Sequence, residues 1–133
     1  MSNFPAVGSD GENNGYKALR AKLTRLQNAA DRLREEAEGV ALRMKRNAKF
    51  AAVVADMCAA AEVDARHLTA IGGVSRAFGR CTAHGLRVAG AADRISQAAG
   101  RAKTVHQAQY GGIHAAVQAT KARQAKPGFY RKR

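Results

Sequence analysis

The stretch YKALRAKLTRLQNAADRLREEAEGVALRM, residues 16–44, decides the fold. Within it Tyr16, Leu19, Leu23, Leu26, Ala30, Leu33, Ala37, Val40 and Met44 follow one another in alternating steps of three and four. Sustained over about four heptads, this spacing puts one apolar stripe along a helix and predicts coiled-coil-like packing. The stripe continues more weakly through Asn47, Ala51, Val54, Cys58 and Ala61. Asn47 either fixes register on the seam or marks a rotation of the seam onto Phe50, Val53 and Met57. No proline and only one glycine, Gly39, interrupts the span, so one helix is expected over about 15–63.

Downstream, Asp64 is a helix-capping residue type and Gly72–Gly73 a weak point, which predicts a turn over about 64–73. Val74, Phe78, Cys81, Gly85, Val88, Ala92, Ile95, Ala99 and Ala102 then form a second stripe of mostly small residues. It predicts a helix over 74–110 that packs closely on the first. Gly111–Gly112 is expected to end it, with Ile113, Ala116 and Val117 lining a short third helix over 113–123. Residues 1–14 lack periodicity and read as a disordered arm, and 124–133 as a basic tail. The expected fold is all-α: one domain over 15–123, a long antiparallel helical hairpin with a short C-terminal helix and flexible termini.

Composition adds two constraints. Apolar residues make up 46% of the chain, but aromatics only 5%, and tryptophan is absent. Much of the apolar fraction is alanine, which favours helix and buries little area, so self-association into a homo-oligomer is expected to supply missing burial. The net charge of +13 calls for an acidic partner: nucleic acid, an anionic membrane face or an acidic protein. No apolar run is long enough to span a bilayer, and the first residues do not read as a secretory signal, so a cytoplasmic location is expected. Cys58 and Cys81 fall in helical patterns and read as small buried hydrophobes rather than a disulfide.

The basic residues are patterned. Arg80, Arg87, Arg94 and Arg101 fall seven apart, each just before a member of the second stripe, and share one helix face over roughly 32 Å. Arginine stems there would flank the seam and pair with acids of the first helix. With a turn near residue 68, Arg101 would meet Glu35 or Glu36, Arg94 would come near Arg43, and Arg87 and Arg80 near Phe50 and Met57. Most of the series therefore lacks an acid, and a surface for an acidic partner is the competing reading. Arg43, Lys45, Arg46 and Lys49 form a second cluster expected beside Arg87 and Arg94. After Asp93 nine basic residues and no acid follow. In the tail, Phe129 and Tyr130 beside Arg131, Lys132 and Arg133 could stack on bases or dock on the protein itself.

Other chemistry finds little support. Cys81-x-x-His84 with Cys58 and His67 has no compact zinc spacing, so no metal is expected. His106 and His114 read as polar surface or cap residues. There is no phosphate loop, paired-carboxylate site or nucleophile triad, so neither an enzyme nor a cofactor is expected. No base-reading motif occurs, so nucleic-acid contact would be weakly selective. A secreted two-helix protein with a Trp-x-Gly turn matches less well, since the chain offers Ile71-Gly72-Gly73 and no tryptophan.

YKALRAKLTRL, RMKRNA, VSRAF, QYGGIHAAV and KPGFYRKR together resemble the short basic helical conjugal transfer (TraB-like) proteins of actinobacterial plasmids and integrative elements. The resemblance runs from Tyr16 onward and is most specific at Tyr110–Ile113 and Lys126–Phe129. The large motor ATPases of plasmid transfer that share the name carry a nucleotide-binding motif this chain lacks. The resemblance implies a non-enzymatic accessory beside the DNA-transfer apparatus, and supplies no catalytic residues. Its contact residues would be Arg43, Lys45, Arg46, Lys49, Arg80, Arg87, Arg94, Arg101, Arg131, Lys132 and Arg133. The alternative is a structural coiled-coil module for oligomerisation or docking to an acidic protein, without direct DNA binding.

Overall fold

The computed structural model describes residues 15–120. Two helices, α1 (Tyr16–Ala60, 45 residues) and α2 (Ala65–Ala119, 55 residues), pack together as a hairpin, and no strand occurs among the described residues. Alanine, leucine and long charged residues dominate both helices and lose little side-chain freedom in helical form. The expected arm over 1–14 and the whole basic tail over 124–133, with its residues Phe129 to Arg133, lie outside the described residues.

The chain turns at Ala61–Asp64, earlier than the expected 64–73. Val63 N–H donates to Cys58 O (3.0 Å) and Glu62 N–H to Ala59 O (3.0 Å), the paired bonds of a Schellman ending. That ending needs a left-handed residue, and Glu62 supplies it at φ 56°. Asp64 then starts α2 at once: its Oδ1 accepts from Arg66 N–H at 2.8 Å and from Arg66 Nε at 3.3 Å. With the cap at Asp64, Gly72–Gly73 lies two turns inside a cooperative helix, and their propensity cost of about 1 kcal/mol each does not break it. The same holds for Gly111–Gly112, so residues 113–119 of the expected short third helix (113–123) are instead the last turns of α2, and its residues 121–123 lie outside the described residues.

Two tests follow from this turn. Glutamate in the left-handed region costs about 1 kcal/mol relative to glycine, so Glu62→Gly is expected to raise the thermal midpoint in a circular-dichroism melt. The backbone N–H of Arg66, and next its guanidinium, hold the Asp64 carboxyl below the usual carboxylate range. A lowered folded pKa stabilises above the unfolded value and is lost as pH falls through the folded one. Asp64→Ala is thus expected to melt below the parent at pH 7, and the gap should close under acid conditions below pH ~4.

The expected single domain divides into two compact units, one of residues 29–95 and one joining 15–28 to 96–120. In the first, Arg34 meets Asp93, Ala41 lies against Gly85, and Ser75 Oγ donates to Ala48 O at 2.9 Å, so the helices run antiparallel. Its buried side chains are alanines: Ala30, Ala37, Ala41 and Ala51 of α1 against Ala89 and Ala92 of α2. Ala30, Ala37, Ala51 and Ala92 of the expected seam are buried, but its larger members are corrected by one position: Ala41 is buried in place of Val40, and Ala89 in place of Val88. Leu33, Val40, Val88 and Ile95 flank the contact and remain between 39% and 46% exposed. Small-on-small contact lets the backbones approach, and larger side chains cannot occupy that gap. In the second unit Ser96 and Ala99 are buried, and Lys103 Nζ donates to Thr24 Oγ1 at 3.2 Å.

Candidate nucleic-acid interface

Arg80, Arg87 and Arg94 all lie in the 29–95 unit and are exposed. At 100° per residue they project about 140° to 180° away from the alanine stripe, on the outer side of α2. The expectation that they flank the seam is corrected, because burial of Ala89 in place of Val88 turns the packing surface further from them. They form a row with steps of about 10 Å. None of the three makes an ion pair or hydrogen bond among the described residues. The Arg94 guanidinium lies back along the helix over Gly90, 3.8 Å from where a Cβ would stand.

Because the chain turns at 61–64, the register also shifts. Arg94 comes level with Arg32 and Leu33, Arg87 with Gly39 and Arg80 with Arg46, not with Arg43, Phe50 and Met57. Arg101 belongs to the other unit, where it is exposed beside an open groove of about 530 Å³ lined also by Gln27, Gly100, Lys103 and Thr104.

Arg43, Lys45, Arg46 and Lys49 are exposed too, but they do not share a face. Arg43 and Lys45 point about 160° apart, with Arg46 and Lys49 between them around the back of α1. The joint zone expected with Arg87 and Arg94 is not formed, since the backs of α1 and α2 point away from each other across the alanine seam.

The acids gather elsewhere. Arg34 donates to Asp93 Oδ1 at 3.0 Å, and that hydrogen bond first, then the charges of Asp31, Asp93 and Glu38, raise its pKa above the ordinary arginine value. Asp93 is the one acidic residue of α2, and it is drawn to Arg34 on the side of the hairpin. The arginine row is left with uncompensated charge.

Cys58 is half-buried and Cys81 exposed, which corrects the expectation of two buried thiols. Neither joins His67 and His84 in a cluster: no group of three or more metal-ligating side chains occurs among the described residues. No helix among them is long and apolar enough to cross a membrane.

One site escapes the sequence reading. In the unit of 15–28 and 96–120, Tyr16 stacks on His106 (4.9 Å between centroids) and on His114 (4.5 Å), and Tyr110 tilts against His106 (5.4 Å). These rings, with Leu19, Ile113 and Val117, line an open cleft of about 420 Å³. His106 and His114 are therefore packing residues, and Gly111 stays helical beneath the Tyr16 hydroxyl, 3.3 Å from its Cβ position. The steps of four through His106, Tyr110 and His114 were the available signal, masked by the two glycines that follow Tyr110. No protein family, curated protein or solved structure matches this chain.

Proposed function

We propose that this protein is a non-enzymatic, cytoplasmic accessory of plasmid conjugal DNA transfer, touching DNA with little sequence selectivity through Arg80, Arg87 and Arg94. One observation carries the DNA contact: three exposed arginines in line, free of ion pairs among the described residues, on the outer side of a helix whose one acid is engaged with Arg34. Guanidiniums at intervals of about 10 Å along a ridge suit phosphates, which position a protein without specifying sequence. Arg43 and Arg46 add charge on the neighbouring helix, and Arg101 on the other unit. The conjugal setting rests on the resemblance of the YKALRAKLTRL, QYGGIHAAV and KPGFYRKR stretches.

The test is binding of the full chain to fluorescent duplex and single-stranded DNA across a salt series. Micromolar or tighter binding is expected at low salt, falling steeply as salt rises. Absence of binding at 20 mM salt would sink the reading and leave docking to an acidic protein in its place.

A further inference from the structure

The two sides of the hairpin in the 29–95 unit are chemically opposite. Arg34 and Asp93 each lie about 50° or more to one side of the alanine stripe and meet there. Leu33 and Val40 on α1, and Val88 and Ile95 on α2, are rotated from their stripes in the reverse sense. Since the first pair shares one side, these four share the other. All four are exposed, at seven-residue spacing on both helices. Toward the turn the same side opens into an apolar cleft of about 450 Å³ lined by Phe50, Val54, Ile71, Val74 and Phe78, with Asn47 at its edge. Phe50 is 71% exposed there.

We propose that this side is a self-association surface, and that its occupant is the same side of a second copy, giving a four-helix bundle. The burial deficit argues for a copy rather than an occasional partner. Every side chain of the buried seam in this unit is alanine, and no large side chain is fully buried among the described residues. Two helices in contact through methyl groups do not bury enough area to offset the ordering of so many residues. The missing apolar contact is a standing requirement of the fold, and a second copy is always available to meet it.

Spacing fits a two-fold pairing with both turns at one end. Each α1 then lies along the other copy's α2, heptad against heptad, as in knobs-into-holes bundles. The Arg34–Asp93 pair remains outside, and the outer sides of both α2 helices stay open, so the inference is independent of DNA contact.

Light scattering of the full chain should give twice its 14.1 kDa mass, and the melting temperature should rise with protein concentration. Val88→Lys with Ile95→Lys should halve the mass or abolish folding. Leu42→Lys with Leu86→Lys, which changes equally exposed residues on the other side, should keep it. A monomeric, fully helical wild type with a concentration-independent melt overturns the proposal even where the first variant fails to fold. So does dissociation by the Leu42 and Leu86 changes with the Val88 and Ile95 variant still paired.

Discussion

Replacing Gly85 with leucine is expected to lower the melting temperature by roughly 10 °C or more, a loss of at least about 2 kcal/mol. A Cβ on Gly85 would stand 3.1 Å from the Ala41 Cβ, 3.3 Å from the Ala37 carbonyl oxygen and 3.4 Å from the Ala41 Cα. Two of those three atoms are backbone and cannot swing aside. Leucine adds three more carbons, so the helices must separate or slide, and either movement strips the contacts of Ala37, Ala41 and Ala89 together. Against this stands a helix-propensity gain of about 1 kcal/mol from removing a glycine. The gain is local, whereas the separation spreads along the seam, so the loss wins. Gly79 is the control: nothing lies within 4 Å of its Cβ position, and Gly79→Leu should keep only the gain. Equal losses for the two variants in a circular-dichroism melt would mean that close approach is not what Gly85 provides.

The same position shows what sequence could and could not decide. Heptad spacing at Tyr16–Met44 and Val74–Ala102 was enough to establish two helices and their pairing, because periodicity directly encodes an apolar side. It did not choose between neighbouring stripes. Leu33 and Val40 adjoin Ala37 and Ala41, and hydrophobicity alone favours the larger residues for the interior. Gly85 decides the matter, since close backbone approach at one point admits only small residues for a turn on either side. That is a property of the pair of helices and not of either sequence pattern. The turn was displaced for a related reason: Gly72–Gly73 is the obvious weak point, but the Asp64 cap and a left-handed Glu62 act earlier in the chain. A shift of a few residues at the turn changes every cross-helix partner, which is how Arg94 came to stand level with Leu33 instead of Arg43. The arginine row itself was legible, and its surroundings were not.

Those surroundings set the largest functional effect expected. Changing Arg80, Arg87 and Arg94 together to glutamine should weaken DNA binding on the order of 10²-fold at 0.1 M salt. Each arginine that neutralises a phosphate releases close to one condensed counterion, with a slope near −0.9 per contact on duplex DNA. Removing three should make the plot of log affinity against log salt shallower by roughly 2.7. Glutamine is nearly as good a helix former as arginine, and the three side chains have no partner among the described residues to lose. Helicity and melting temperature should therefore be unchanged, which separates loss of contact from loss of fold. The comparison is Arg43, Lys45 and Arg46 changed to glutamine, an equal loss of charge. Those three fan out over about 160° of α1 instead of lying in line, and a rigid duplex cannot follow all three directions, so the slope should move by about one contact. Equal changes in slope for the two triple variants would mean that net charge alone binds DNA, and that the row on α2 has no special part in it.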